Sequence, residues 1–159
     1  MHDSKRPQMQ FHKTLWGILC ISYLWVAFAD AQTAYDVLER YNLPKGILPQ
    51  GVQSYLLTKE GSFEFFLADK CEFNVQGNYM LKYKTTITGT VESGVLRDLK
   101  GLSVRFLFVW IGISRVEVSG DELSFFVGPF SVSFPLSYFD KCPRCGCGFD
   151  CSNTLLQDL

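Results

Sequence analysis

From residue 52 to residue 134, apolar and polar positions alternate with a period of two, which is typical of β-strands with one face in a core and the other in water. In the clearest run, residues 79–91, the side chains at 79, 81, 83, 87 and 91 are apolar, and mainly lysines and threonines separate them. Further strands are predicted at residues 63–67, 71–75, 102–111, 113–118, 123–127 and 130–134, with turns at glycines 61, 77, 94, 120 and 128. About eight short strands with hairpin-length links predict a single antiparallel barrel or sandwich.

Residues 102–111 depart from this alternation because both faces of the predicted strand are apolar. One face would bear Phe106, Phe108 and Trp110, and the other face would bear aliphatic side chains at 107, 109 and 111. Either the strand is central and the N-terminal helix or the C-terminal tail covers its second face, or part of its surface lines an apolar cavity or contacts a partner. We therefore take Tyr83, Phe106, Phe108 and Trp110 as candidate ligand-binding residues.

One helix is predicted before the first strand, over residues 33–42. Thr33 and Asp36 have the spacing of a capping box, and the apolar side chains at 34, 38 and 41 share one helical face. Pro44 and Gly46 end the helix near Asn42. The segment that follows, residues 43–51, is predicted to be a shaped connector whose apolar side chains press onto the core.

The N-terminal 31 residues have the three parts of a secretory signal. A basic leader contains Lys5, Arg6 and Lys13, an uncharged and mostly apolar run covers residues 15–29, and small residues at 29 and 31 fit a signal peptidase site. We predict a cleaved signal peptide over residues 1–31 and a protein secreted to the extracellular space, the apoplast in a plant. The alternative is an uncleaved signal that anchors the chain to a membrane.

Cleavage after residue 31 leaves one domain and changes its chemistry. The predicted organisation is a β domain over residues 32–140 and a cysteine-rich tail over residues 141–159. Three of the 15 Lys and Arg residues and two of the 16 Asp and Glu residues lie in the leader, so the net charge becomes −2 and clusters of cations are absent. Nucleic acid is therefore not an expected partner, and no protein partner can be named.

Both histidines, His2 and His12, also lie in the leader. A Ser-His-Asp or Cys-His mechanism and a histidine-ligated zinc site are therefore excluded from the predicted secreted form, and the sequence contains no nucleophile-elbow or phosphate-loop motif. We expect no catalytic residue and no cofactor. A hydrolase would have to use carboxylates such as Asp69, Glu72 and Asp121, or a serine activated without histidine.

Four cysteines fall within ten residues of the tail, in the stretch CPRCGCGFDC. Zinc would normally draw two pairs of thiolates from separate turns, and a redox C-x-x-C would open a helix, which the glycines here disfavour. In a secretory chain the favoured interpretation is structural disulfides, and no metal is expected. The tail could form two local bridges, or one tail cysteine could pair with the strand cysteine; one thiol is left over, and the candidates are Cys71, Cys142, Cys145, Cys147 and Cys151.

The sequence resembles a plant family called domain of unknown function 538. The match includes a Tyr-Asp-x-Leu-Glu-x-Tyr helix followed by Leu-Pro-x-Gly-x-Leu-Pro over residues 35–49, and it resumes at Phe63, Gly89, Leu99-Lys100-Gly101, Trp110, Phe125 and Phe134-Pro135. The resemblance covers residues 35–142. It implies a mainly β fold, with a suggested similarity to bactericidal/permeability-increasing lipid-binding domains, so the alternative fold is an α+β roll of lipid-binding type. It also implies secreted or membrane-associated plant proteins linked to stress responses. A pigment-ester hydrolase role is also implied, but no catalytic residue can be transferred.

Three hypotheses for function remain. The leading one is a secreted non-enzymatic β-domain that binds an apolar or amphipathic molecule such as a lipid. The 12 Phe and 6 Tyr that remain after cleavage are hard to fit around a small core without leaving gaps. The alternative is an interaction or structural protein of the cell-wall space with a solid core. A pigment-ester hydrolase is the third.

Overall fold

A computed structural model describes residues 32–75 and 79–151 of the 159-residue chain. The predicted signal peptide, the predicted turn at Gly77 and the end of the tail from residue 152 lie outside the described residues. Within those two ranges, no helix is both long and apolar enough to cross a bilayer.

The predicted helix is present as α1, Ala34–Arg40, with Thr33 as its N-cap. The capping box forms as expected: the Asp36 N–H donates to the Thr33 hydroxyl oxygen at 3.3 Å, and the Thr33 N–H donates to the Asp36 carboxylate at 2.7 Å. This second hydrogen bond holds the pKa of Asp36 below its usual value. The helix stops because Asn42 adopts a left-handed conformation with φ of 57°.

The connector after α1 packs as predicted and contains one turn of 3-10 helix, Lys45–Ile47. Its side chains Leu43, Ile47 and Leu48 are each only 2% exposed. Gly46 in its centre has no room for a side chain, since a Cβ atom there would collide with the main-chain oxygens of Phe139 and Lys141. The glycine of the Leu-Pro-x-Gly-x-Leu-Pro segment is thus required because a later part of the chain crosses directly over it.

In the part of the chain that the structure describes, nine strands form one open antiparallel sheet. Seven follow the order β1-β2-β4-β5-β7-β8-β9, while β3 pairs with β4 and β6 pairs with β5. The strands are β1 Val52–Leu57, β2 Ser62–Leu67, β3 Cys71–Val75, β4 Tyr79–Glu92, β5 Val95–Phe106, β6 Val109–Gly112, β7 Arg115–Ser119, β8 Glu122–Val127 and β9 Phe130–Pro135. The predicted class, mainly β with a short N-terminal helix, is confirmed.

The two longest strands, β4 and β5, bend together near their middles. Their pairing shifts register between Tyr83 and Thr88 and again between Thr88 and Thr90. Gly101 lies in this irregular stretch with φ of 90°, and a Cβ atom there would collide with the carbonyl oxygen of Thr86. Bulges of this kind increase twist and curvature, so one half of each strand can turn away from the other half.

The alternation predicted for β4 is confirmed, because its inward side chains Leu81, Tyr83, Ile87 and Val91 are at most 5% exposed. One strand prediction is wrong. Residues 102–111 do not form a single two-sided strand: β5 ends at Phe106, the chain reverses, and β6 returns from Val109. The prediction of about eight strands also missed the first half of β5, residues 95–101.

The cysteine-rich tail is tied to the domain by a disulfide between Cys71 in β3 and Cys145. Cys147 and Cys151 form a second, local disulfide, and Cys142 is the free thiol among the five cysteines of the described residues. The alternative of two local bridges is therefore wrong. The tail also follows β3, since the Gly146 N–H donates to the carbonyl oxygen of Glu72 at 2.7 Å.

Candidate ligand-binding cavity

The inner faces of the bent sheet do not fill the space between them. A cavity of about 310 Å³ lies between β4, β5 and β6 on one side and β8 and β9 on the other. Such a volume falls at the lower end of the range for small-molecule pockets. Its lining comprises Val75, Tyr79, Leu81, Val104, Phe106, Ile111, Ile113, Phe125, Val127, Phe130, Ser131, Val132, Phe134 and Phe139.

Exposure of the lining residues indicates where the cavity opens. Phe139 is 1% exposed and Ile113 is 1% exposed, whereas Phe106 is 56% exposed and Phe130 is 71% exposed. Phe106 ends β5 and Phe130 begins β9, so two strand ends place these rings at the mouth. The cavity therefore extends from the core to the surface beside the β5–β6 hairpin.

A cluster of aromatic rings forms one wall. Phe134 contacts Tyr79 of β4 edge-to-face at a centroid distance of 6.0 Å, which joins the last strand to the fourth. Phe134 also meets Phe125 at 6.0 Å and Phe139 at 6.2 Å. Aromatic pairs prefer such edge-to-face contacts, with centroids roughly 4.5–7 Å apart, so the four rings support one another as one wall.

The lining determines what the cavity can accept. Among the fourteen lining residues, only Tyr79 and Ser131 have a polar side chain, and none is charged. A charged group placed inside would lose its hydration without an ionic partner, which costs several kcal/mol or more. The arrangement can surround an apolar group and offers no nucleophile–base pair or ion pair for chemistry.

Tyr83, one of the four predicted ligand contacts, belongs to the core and not to the cavity lining. It is 1% exposed, and its hydroxyl donates to the main-chain oxygen of Ile47 at 2.8 Å. Burial raises the pKa of Tyr83 above its ordinary value. The side chain joins β4 to the connector.

The other three predicted contacts lie in the β5–β6 hairpin, and each has a different environment. Phe106 lines the cavity mouth. Phe108 lies in the turn and is 95% exposed. The ring of Trp110 is packed under the ammonium group of Lys82, whose Nζ atom is 4.2 Å from the ring centroid. Of the four, only Phe106 reaches the cavity, and a ligand contact at any of them remains a prediction.

The carboxylates considered for a hydrolase are scattered. Asp69 and Asp121 are exposed, and Glu72 pairs with Lys82 at 2.7 Å on the outer face of the sheet. None of the three lines the cavity. In the described part of the chain, no group of three or more His, Cys, Asp or Glu side chains is arranged to bind a metal ion.

The free thiol Cys142 lies against the connector. Its Sγ atom is 3.5 Å from the main-chain oxygen of Lys45. Burial raises the pKa of the Cys142 thiol, so less thiolate forms than at an exposed cysteine at the same pH.

Most of the lining was missed by sequence reasoning. Alternation predicted strands at residues 123–127 and 130–134, which correspond to β8 and β9, but it did not place Phe125, Val127 or Phe134 around an open space. Because Val132 and Phe130 are 57 and 55 residues beyond Val75 in the chain, no local pattern places them in one cavity. The available signal was the excess of aromatic residues, which is a property of the whole chain.

The comparisons with known proteins agree with the fold. The family described as "Protein of unknown function, DUF538" matches residues 34–140, from the first residue of α1 to the end of the domain. The chain belongs to the DUF538 family. The match omits the cysteine-rich tail, including Cys145, whereas Cys71 lies inside it.

A curated relative of this DUF538 chain is the "Uncharacterized protein At5g01610" of Arabidopsis thaliana. The two are 27% identical over 94 residues, which cover 58% of this chain and 55% of the relative. The match thus spans only about half of the relative's length. No solved structure gives a significant match to the chain.

Proposed function

We propose that this DUF538 protein binds an apolar small molecule, or the apolar part of an amphipathic one, without transforming it. The observation that supports this most strongly is the open cavity of about 310 Å³ with its almost entirely apolar lining. Apolar groups move favourably from water into such a space, at roughly 25 cal/mol for each Å² of apolar surface removed from water. The ligand class is a lipid-like chain or an uncharged ring system.

The same observation weighs against the two other hypotheses. An interaction protein with a solid core has no use for an open apolar cavity, and tight packing would stabilise it further. A pigment-ester hydrolase needs a nucleophile or a general base at the ligand, and Asp69, Glu72 and Asp121 lie outside the lining. Binding requires only the groups that the cavity has.

We further propose that the protein works outside the cell, as its leader predicts. Two disulfides among the described residues support this, because such bonds form and persist in oxidising compartments. We also propose a role in plant stress response. This proposal rests on the family resemblance alone.

Filling the cavity tests the binding proposal. Val132 lines the cavity from β9 and is half-buried, so a Trp there occupies the space with little change to the backbone. We expect Val132→Trp to weaken uptake of N-phenylnaphthylamine, a neutral dye that fluoresces in apolar surroundings, by at least about tenfold, or about 1.4 kcal/mol.

The matched control is Ser133→Trp. Ser133 is the next residue of the same strand and is exposed on the opposite face. Its hydroxyl has one exposed hydrogen bond, with Ser124 at 2.8 Å, so the change leaves the core intact. Dye binding by Ser133→Trp should equal that of the wild type. Equal weakening in the two variants, or no dye uptake by the wild type, would refute the proposal.

A further inference from the structure

The β5–β6 hairpin ends in a tip of four consecutive apolar side chains, all exposed. Phe106, Leu107, Phe108 and Val109 are 56%, 75%, 95% and 63% exposed. The turn has only two residues, so the four side chains lie together at the end of the hairpin. Scattered apolar side chains are normal on a protein surface, but a contiguous group such as this tip marks an interaction site.

The turn itself is built at a conformational cost. Leu107 adopts φ of 55°, a left-handed conformation that glycine or asparagine tolerates better than leucine does. A two-residue hairpin of this kind usually has Asn-Gly or a similar pair. A sequence adapted only to form the turn would have a polar residue or a glycine here, so the leucine requires another reason.

Behind the tip lies an aromatic ring with two cations beside it. Trp110 is opposite Arg105 in the β5–β6 pair, and the Arg105 guanidinium carbon is 5.9 Å from its ring centroid. Lys82 lies over the same ring, at 4.2 Å, and also pairs with Glu72. Arg105 has no ion pair with any residue in 32–75 or 79–151. Tryptophan with cations next to an apolar end is the arrangement that membrane–water interfaces favour.

We propose that this tip inserts into the surface of a lipid bilayer, with Trp110, Arg105 and Lys82 at the level of the headgroups. A stable protein interface needs about 20–30 residues on each side, far more than four side chains provide. Binding to a bilayer requires no minimum contact area of this kind. It becomes stronger as more apolar surface is inserted, and anionic lipids near the cations strengthen it further. The arrangement therefore suits a membrane better than a second copy of the chain.

The position of the tip also connects it to the cavity. Phe106 belongs to both, since it is part of the apolar tip and lines the mouth. With the tip inserted, the mouth faces the bilayer, and an apolar molecule could enter the cavity without crossing water. This last step rests on the proposed function, whereas insertion of the tip does not.

The test is co-sedimentation of the protein, purified from plant cells, with sucrose-loaded vesicles. The vesicles contain phosphatidylcholine and phosphatidylserine in a two-to-one ratio. The variant Leu107→Asn with Phe108→Ser removes the outermost apolar groups, and asparagine suits the φ of residue 107. We expect the vesicle-bound partition coefficient to fall at least about tenfold, because two large apolar side chains no longer leave water. The single variant Phe108→Ser changes a side chain that is 95% exposed, and it should also lower the vesicle-bound partition coefficient. This variant keeps the test valid if the double variant misfolds.

The control is Leu56→Asn, which removes an apolar side chain of similar exposure, 60%, from β1. β1 pairs with β2 and is remote from β5 and β6 in the strand order. Vesicle binding by this control should match the wild type. Absence of vesicle binding by the wild type, or equal binding by the wild type and the tip variants, overturns the proposal, as does a tip-dependent dimer in solution without vesicle binding. Dye uptake by the same variants reports on the cavity separately and should be unchanged.

Discussion

Tyr83 joins the sheet to the connector through one buried hydrogen bond. Its hydroxyl donates to the main-chain oxygen of Ile47 at 2.8 Å, and the side chain is 1% exposed. Tyr83→Phe keeps the ring but leaves a buried carbonyl oxygen unpaired. We expect the free energy of unfolding at neutral pH to fall by about 1–2 kcal/mol in urea denaturation.

The same variant should change the alkaline limit of stability. Burial raises the pKa of Tyr83, so the folded state keeps its proton at a pH where the unfolded chain, with an ordinary tyrosine pKa of about 10, loses it. The contribution is fully present below about pH 10 and is lost as the pH rises above that value. Stability of Tyr83→Phe should therefore fall less steeply above pH 10. A parallel decline in the two proteins would contradict this account.

Gly101 is required by the bend between β4 and β5. At its φ of 90°, a Cβ atom would be strained and would collide with the carbonyl oxygen of Thr86. We expect Gly101→Ala to lower the free energy of unfolding by roughly 2–4 kcal/mol. Gly112→Ala is the control, because nothing lies within 4 Å of the added atom, and its change should stay within about 0.5 kcal/mol. Similar losses for both would show that the bend does not depend on residue 101.

Individual elements were predictable where their signals are local. The capping box of Thr33 and Asp36 predicted α1, and the period-two pattern predicted the inward face of β4. The hairpin at residues 107–108 was not predictable, because Leu107 and Phe108 are neither turn formers nor polar. Two short strands that fold back on each other therefore looked like one strand with two apolar faces.

The two disulfides should contribute unequally to stability. The bond from Cys71 to Cys145 spans 74 residues of sequence, and the bond from Cys147 to Cys151 spans 4. In the chain-entropy model, closing the long loop stabilises the fold by roughly 4 kcal/mol and closing the short one by roughly 2 kcal/mol. Replacing both cysteines of the long bridge by alanine should thus reduce the free energy of unfolding about twice as much as replacing both cysteines of the short one.

Urea denaturation of the two double variants, Cys71→Ala with Cys145→Ala and Cys147→Ala with Cys151→Ala, makes this comparison. Peptide mapping under non-reducing conditions first verifies the pairing. Equal losses would indicate that the unfolded chain gains little freedom when the 74-residue bridge is removed, or that native packing of the tail dominates.

At the scale of the whole molecule, the sequence predicted a mainly β domain and an apolar site but not the location of that site. Only Phe106 of the four candidate residues lines the cavity. The remaining lining comes from β3, β4, β5, β6, β8 and β9, together with Ile113 and Phe139. These residues meet because β4 and β5 bend near Gly101 and because Phe134 of β9 contacts Tyr79 of β4. Such a gap depends on how far side chains reach across a folded sheet, which no periodicity encodes.

The cavity and the apolar tip share one residue, Phe106, which lines the cavity and is exposed in the tip. The account therefore predicts a protein that collects an apolar molecule at a membrane surface and shields it from water. Occupancy of the cavity by an apolar molecule is the central claim, since insertion of the tip alone would serve only to attach the protein to a membrane.

Native mass spectrometry of the protein purified from plant cells, before and after extraction with organic solvent, tests that claim most directly. The account predicts an added mass corresponding to one apolar molecule per chain, removed by solvent, restored by incubation with the extract, and reduced in Val132→Trp but not in Ser133→Trp. A wild-type protein that has no added mass before extraction and acquires none from the extract or from vesicles would contradict it.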